Sequence, residues 1–199
     1  MDNYLAHLSK DRRLNKIIEA QGVLKLRKRK NICSYLCASI MSQQLSTKVA
    51  QVIYERFLNL YGGNEPTPAQ ILDTPIPQLR SIGLSNAKAL YVHNVARFEQ
   101  EHGMDLRKLN KMSDEDIIQY LTKIKGVGRW TVEMLLMFAM GREDVFALDD
   151  LGIQNAMIRT YKISRDDKKE FRAAMIRISD KWKPYRSYAC LHLWRVLDN

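Results

Sequence analysis

Long apolar runs are missing from this chain of 199 residues. The longest one, MLLMFAM at 134–140, is far shorter than the roughly 20 residues that cross a bilayer. The first residues also lack the basic, apolar and small-residue order of a secretory signal. We therefore expect a soluble intracellular protein, in the cytoplasm or nucleoid if it is bacterial and in the nucleus if it is eukaryotic.

Cysteine is scarce as well. The three cysteines, Cys33, Cys37 and Cys190, form no CxxC pair and no cluster with histidine that would suit zinc or an iron–sulfur centre. Cys33 and Cys37 lie one helical turn apart, a spacing that predicts two small core residues rather than a redox pair. We therefore expect reduced thiols and no required cofactor.

Acidic residues are outnumbered by basic ones, 22 against 32, so the formal net charge at pH 7 is +10. This excess implies a polyanionic partner, either nucleic acid or an anionic membrane surface. The run KLRKRK at 25–30 is either a solvated connector or a phosphate-contacting patch, and it also resembles a nuclear import signal. The charge indicates a class of partner but no chemistry.

Strand-like alternation is rare, and helical spacing of apolar residues recurs along the whole chain. Four of the five prolines fall between 66 and 77, where short turns and helix starts are expected. The spacing therefore predicts an all-α protein. The main predicted helices contain LNKIIEAQ (14–21), ICSYLCASIM (32–41), STKVAQVIYERFLNL (46–60), SNAKALYVHNVARFEQEH (85–102), SDEDIIQYLTKI (113–124), GRWTVEMLLMFAM (128–140), DDLGIQNAMIRTY (149–161), RDDKKEFRAAMIRISDKW (165–182) and YRSYACLHLWRVL (185–197).

Two of only nine glycines, Gly126 and Gly128, flank Val127 in a predicted helix–turn–helix at about 117–140. Glycine lets another surface approach the backbone closely, and the N-terminus of the second helix is an anion site. These features favour binding of a DNA phosphate without any reading of the base sequence. A plain αα-hairpin with a glycine cap remains the alternative. Three cations surround the turn: Lys123, Lys125 and Arg129.

An aspartate pair, Asp149–Asp150, precedes the next predicted helix in DVFALDDLGI (144–153). Taken alone, such a pair indicates helix capping. Together with the glycine hairpin, however, it closely resembles the helix-hairpin-helix DNA glycosylase superfamily. The stretch KWKPYRSYACLHLW (181–194) resembles the alkylation-repair branch, the 3-methyladenine DNA glycosylase II family. SIMSQQLSTKVAQVIYERF (39–57) and SIGLSNAKALYVHNVA (81–96) are similar to further stretches of that branch, and the resemblance covers roughly residues 30–197.

This resemblance implies a two-lobed, all-α glycosylase fold with a cleft between the lobes, in the compact form without an N-terminal β domain. Residues 31–144 would form the lobe that carries the hairpin, and residues 1–30 with 145–199 would form the other. The implied function is monofunctional excision of alkylated bases, of the 3-methyladenine and 7-methylguanine type, from duplex DNA in base excision repair. The enzyme would act as a monomer with no membrane partner.

The family's motif places the catalytic aspartate at Asp150, which leaves Asp149 a structural role. Aromatic positions that line the family's pocket match Trp130 and Trp194, and Met134 and Leu151 stand where a broad-specificity bacterial relative has aromatic residues. Relatives that also cut the backbone carry a lysine where this chain has Trp130, so no Schiff base and no AP lyase activity are expected. The four-cysteine cluster of endonuclease III-like relatives is absent.

The remaining assignments also follow from the resemblance. The family's intercalating wedge falls on Gln44 or Leu45, and a plain helix–helix turn is the alternative there. A bound Na⁺ or K⁺ would be held by the backbone carbonyls of Thr122, Ile124 and Val127. The DNA-binding residues would be Gly126, Val127, Gly128, Arg129, Lys123, Lys125 and Thr131.

Two other functions remain open on the sequence. One is a non-catalytic DNA-binding protein that uses the same hairpin, although pure phosphate binding requires neither Asp150 nor an aromatic pocket. The other is a glycosylase for oxidised or mismatched bases, which the missing lysine and cysteine cluster disfavour. The alkyl lesion that is preferred does not follow from the sequence.

Overall fold

A computed structural model describes residues 3–197, and within that range every regular element is helical. The all-α prediction is confirmed. The helices are α1 (Asn3–Leu8), α2 (Arg12–Gln21), α3 (Ile32–Ser42), α4 (Thr47–Asn59), α5 (Pro68–Asp73), α6 (Ile76–Ser81), α7 (Asn86–His102), α8 (Leu106–Leu109), α9 (Asp114–Leu121), α10 (Arg129–Phe138), α11 (Leu151–Tyr161), α12 (Lys168–Ser179) and α13 (Arg186–Arg195), with a 3₁₀ turn at Asp180–Trp182.

The chain divides into two compact units. Among the described residues, the first contains 3–28 and 136–197, and the second contains Arg29–Leu135. No helix within residues 3–197 combines the length and the hydropathy that a bilayer crossing requires.

Side-chain caps explain where several helices begin. Ser46 and Ser85 accept backbone N–H bonds at the starts of α4 and α7. Ser113 and Asp116 form the reciprocal capping box that their spacing predicts at the start of α9. Each such cap stabilises its helix by about 1 kcal/mol, so local sequence alone fixes these helix starts.

The unit of residues 29–135 is built around α3, which packs on α4 and α7. Leu36, Phe57 and Val92 are fully buried in its core. Cys33 and Cys37 are also buried there as free thiols, as their spacing predicts.

In the other unit, α13 packs on α2 and α11. The start of α13 anchors the loop that leads into α11. The Arg186 guanidinium binds Asp144 through Nε–Oδ1 at 2.7 Å and Nη2–Oδ2 at 3.1 Å, and Ser187 Oγ accepts the Val145 N–H at 2.9 Å. The Arg186 guanidinium is thus bound to the Asp144 carboxylate. Its role is to fix the loop that delivers Asp150.

Candidate active site

Asp150 is the residue immediately before α11, and its carboxylate caps that helix. Oδ1 accepts the backbone N–H of Ile153 at 2.8 Å, so the capping that the aspartate pair suggests is confirmed for this residue. The same oxygen accepts the indole N–H of Trp194 at 2.8 Å. Because two donors converge on one oxygen of a half-buried carboxylate, the group has a fixed orientation.

Trp194 lies on α13 and is held by more than this hydrogen bond. Its ring centroid lies 5.6 Å from that of Phe138, in a tilted arrangement. The structure therefore brings together Asp150 and Trp194, two of the predicted site residues, which are 44 positions apart in the sequence.

Gly152 allows this approach. A Cβ built on Gly152 would lie 3.0 Å from Asp150 Oδ1 and 3.0 Å from Trp194 Cδ1, tighter than ordinary van der Waals contact. Spacing arguments miss this residue, because its backbone is an ordinary helical one and its role depends on a partner from α13. The only sequence signal is a glycine in the first turn of a helix, where other residues are better helix formers.

Asp149 differs from its neighbour in its surroundings. Its side chain is exposed and forms an ion pair with Arg172 of α12. The two adjacent carboxylates therefore have different partners: Asp150 accepts the N–H groups of Ile153 and Trp194, whereas Asp149 pairs with the Arg172 guanidinium. This difference supports a structural role for Asp149.

The other predicted pocket residues differ in exposure. Leu151, at the first position of α11, is 62% exposed, and Trp130, near the start of α10, is 41% exposed. Met134 lies one turn beyond Trp130 but is buried. Large exposed apolar side chains such as Leu151 and Trp130 are available to stack on a ligand.

The hairpin joins α9 to α10 through the turn that the glycines predict. Gly126 has φ +107°, a conformation that L side chains rarely adopt, and a Cβ there would overlap the ring of Tyr91. The Val127 N–H donates to the Ile124 carbonyl at 3.0 Å, and Asn94 Nδ2 donates to the Lys125 carbonyl at 3.1 Å. The turn is therefore tied to α7 by a ring contact and a side-chain hydrogen bond.

The predicted DNA-binding side chains are not equivalent. Lys123 and Lys125 are exposed, whereas Thr131 is buried and is not presented to a phosphate on the surface. Arg129 binds Glu115 through two hydrogen bonds, at 2.9 and 3.1 Å, and Glu133 at 3.1 Å. The hydrogen bonds with Glu115 raise the pKa of Arg129 above its usual range. A phosphate would compete with two carboxylates for this guanidinium.

The predicted wedge residues lie in the turn between α3 and α4. Gln44 has φ +59°, one of only two non-glycine residues with positive φ among those described, and Leu45 is partly exposed. The Leu45 N–H donates to the Ser42 carbonyl at 3.1 Å. The two candidates thus occupy a tight, strained turn.

Metal-binding side chains do not cluster in the part of the chain that is described. Residues 3–197 contain no group of three or more histidine, cysteine, aspartate or glutamate side chains that could hold a metal ion. The backbone carbonyls of the hairpin are a different kind of donor.

Replacing Gly126 with alanine is expected to distort the hairpin. The new Cβ would overlap the Tyr91 ring, and the positive φ at this position is unfavourable for alanine. We expect DNA affinity to fall by at least about tenfold on damaged and undamaged duplexes alike, since phosphate contacts do not read sequence. Fluorescence anisotropy with a labelled undamaged duplex measures this loss.

Gly63→Ala is the matched control for that variant. Gly63 also has positive φ, at +81°, but a Cβ there would meet nothing within 4 Å. Its DNA affinity should stay near that of the unmodified protein. Equal affinities for the two variants would contradict a role of the hairpin in DNA binding.

A model of the HhH-GPD superfamily, described as base excision DNA repair protein, matches residues 37–181. DNA-3-methyladenine glycosylase 1 of Schizosaccharomyces pombe is 33% identical over 163 residues, which cover 81% of this chain and 70% of that protein.

Two solved structures are also similar. A DNA-3-methyladenine glycosidase from Bacillus halodurans has a TM-score of 0.84 and 34% identity, covering 98% of this chain and 88% of its own. A 3-methyladenine DNA glycosylase from S. pombe, solved in complex with abasic DNA, has a TM-score of 0.87 and 29% identity, covering 98% of this chain and 97% of its own.

Proposed function

Because this chain belongs to the HhH-GPD superfamily of base excision DNA repair proteins, we propose that it is a 3-methyladenine DNA glycosylase that removes alkylated bases from duplex DNA. It hydrolyses the N-glycosidic bond and leaves an abasic site. The observation that carries the proposal is the Asp150 carboxylate, oriented by the Ile153 N–H and the Trp194 indole.

The carboxylate suits the charge that develops in this reaction. Breaking an N-glycosidic bond gives the sugar oxocarbenium character, as in other glycoside cleavage. A preorganised negative group beside the anomeric carbon stabilises that charge by about 3–4 kcal/mol and can orient the attacking water. Alkylated purines such as 3-methyladenine are cationic, so they leave without a strong general acid.

Aromatic faces would hold the flipped base. The exposed ring of Trp130 can stack on a cationic purine, and such cation–π attraction contributes up to about 2 kcal/mol in a dry site. Leu151 supplies an exposed apolar surface beside Asp150, and Trp194 adds a second ring next to the same carboxylate. The cost of flipping, a few kcal/mol, is offset by such contacts.

The hairpin would grip the DNA backbone through the N–H groups at the start of α10 and the exposed Lys123 and Lys125. An alkali cation fits the neutral carbonyl oxygens of Thr122, Ile124 and Val127, because hard cations prefer oxygen donors. The Ile124 carbonyl accepts the Val127 N–H but keeps a second lone pair. A cation bound there would supply positive charge beside a phosphate. No other cofactor is required.

The partner is then double-stranded DNA with alkylated bases, bound by a single copy of the chain inside the cell. The net charge of +10 supports binding to this polyanion and predicts affinity that falls steeply with salt.

Trp130 stands where relatives that also cut the DNA backbone carry a lysine, and this difference predicts which product the reaction leaves. We expect the reaction to leave intact strands with abasic sites, so that cleavage appears only after hot alkali. Borohydride should trap no protein–DNA adduct, because no amine forms a Schiff base with the sugar. Denaturing gels of a labelled duplex, with and without alkali, measure this. Strand cleavage without alkali, together with a trapped adduct, would contradict the monofunctional assignment.

A panel of defined duplexes tests the proposed function against its alternatives. Each duplex carries one lesion: 7-methylguanine, 8-oxoguanine or a mismatched normal base. Excision of the methylated base alone is expected. Excision of 8-oxoguanine or of the mismatched base instead would favour another glycosylase specificity, and tight binding without excision of any base would favour a DNA-binding module.

A further inference from the structure

Lys88 on α7 reaches across to the end of α3. Its backbone N–H is capped by Ser85 Oγ at 3.2 Å, and its side chain extends to the last turn of α3. There Nζ donates to the Met41 carbonyl at 3.0 Å and to the Gln43 carbonyl at 2.7 Å. A cation at a helix C-terminus satisfies carbonyls that have no partner within the helix and interacts favourably with the helix dipole.

This placement has a cost. Partial burial lowers the pKa of the Lys88 amine below its usual range, because the charged form loses hydration. An exposed lysine would avoid that cost. The two hydrogen bonds, at 2.7 and 3.0 Å, show that the amine binds the carbonyls directly.

The carbonyls that Lys88 binds flank the start of the wedge turn, defined as residues 43–45. Gln44, the next residue, is in the left-handed region at φ +59°. Residues other than glycine rarely adopt this backbone conformation, and it persists where the surrounding structure stabilises it. On the far side, the Ser46 hydroxyl caps α4 by accepting the Val49 N–H. The wedge turn is thus held on both sides. Lys88 binds the carbonyl of its first residue, Gln43, and the Ser46 cap fixes the start of α4 directly after it.

We propose that Lys88 is a positioning residue that holds the wedge turn in the shape needed to enter the DNA base stack. The inference rests on the proposed glycosylase function. Lys88 touches neither the lesion nor the reacting atoms in this account. It acts through the backbone of Met41 and Gln43, so that Gln44 or Leu45 meets the DNA already ordered.

Preorganisation matters most when the base resists leaving the helix. A paired and stacked lesion must be unpaired and unstacked before catalysis. For an unpaired lesion, the free energy needed to move the base out of the helix is smaller. A defect confined to the wedge turn should therefore affect paired lesions selectively. A general loss of structure, or damage to the site at Asp150, should slow both reactions to the same extent.

The test is Lys88→Met, which keeps most of the length of the side chain and removes its charge and its donors. Single-turnover excision is measured on one 7-methylguanine duplex with cytosine opposite the lesion and on a second duplex with an abasic analogue opposite it. We expect a fall of roughly 10- to 100-fold on the paired lesion, the scale expected when a positioned group is displaced. On the unpaired lesion, we expect a change of less than about threefold.

Two further variants serve as controls. Lys88→Arg keeps the charge and the donors and should recover most of the paired-lesion activity. Arg97→Met removes one exposed positive charge from the same helix and should change neither rate by more than about twofold, because a single exposed charge contributes little.

The outcomes separate this inference from the proposed function. If the unmodified protein excises no base from either duplex, the proposed function is wrong, and the positioning role of Lys88 is then wrong as well. If that protein is active and Lys88→Met retains full activity, or loses activity equally on both duplexes, the positioning role is wrong while the glycosylase assignment stands. An equal loss of excision rate in Lys88→Met and Arg97→Met would mean that only the net charge matters, and it would also contradict the positioning role of Lys88.

Discussion

Asp150→Asn should lower single-turnover excision of an alkylated base by at least about 100-fold, because in the proposed mechanism it removes the charge that stabilises the oxocarbenium-like transition state. The substitution is conservative in structure. Asparagine caps helices as well as aspartate does, and its carbonyl oxygen can still accept the Ile153 and Trp194 N–H groups. The fold and the affinity for abasic DNA should therefore survive, and the loss should fall on the chemical step.

Asp149→Asn is the matched control, one position away. It removes the same charge from an exposed carboxylate that pairs with Arg172, so it should change excision by less than about threefold. Circular dichroism and abasic-DNA binding establish that both variants are folded. Equal activities of the two variants would assign the catalytic charge to some other group.

Gly152→Ala carries the second large effect, and it acts by geometry alone. The new Cβ would lie 3.0 Å from both Asp150 Oδ1 and Trp194 Cδ1, so these neighbours would have to shift by a few tenths of an ångström. Small displacements of a catalytic group lower rates steeply, and we expect a loss of roughly 10- to 100-fold in single-turnover excision. In a helix, alanine is more favourable than glycine by about 0.5–1 kcal/mol, so the melting temperature should not fall.

A double-mutant cycle with Trp194→Phe tests that mechanism. Phenylalanine lacks the indole N–H, so this variant removes one of the hydrogen bonds that orient the Asp150 carboxylate. If both changes act through the same contact, their combined effect should be clearly smaller than the product of the two separate effects. Asn155→Ala, on the exposed side of α11, should leave the rate unchanged. Independent effects in the cycle would mean that Gly152 does not act through the contact between Asp150 and Trp194.

Features set by neighbouring residues could be predicted from the sequence. The capping box at Ser113 and Asp116 and the turn at Gly126 depend on spacings of two to four residues, which the chain states directly. The family model and the similar structures confirm the all-helical fold and the resemblance to helix-hairpin-helix glycosylases. For Asp150, capping is confirmed, and its catalytic role stays a prediction.

Contacts between distant segments could not be predicted in this way. Gly152 looks like a poor helix residue until α13 brings the Trp194 indole against it, and Lys88 looks like a surface lysine until α7 packs beside the end of α3. Arg186 is a further example, because its partner, the Asp144 carboxylate, lies 42 positions away in the sequence and is brought within reach by packing. In each case the partner is set by helix packing, which no local spacing encodes.

The measurement that tests the central claim most directly is chromatography of the free bases that the unmodified protein releases from duplex DNA treated with a methylating agent. We predict that free 3-methyladenine accumulates with time and enzyme concentration, while untreated DNA releases nothing. DNA that is bound but yields no methylated base would contradict the glycosylase assignment, and with it the catalytic role of Asp150.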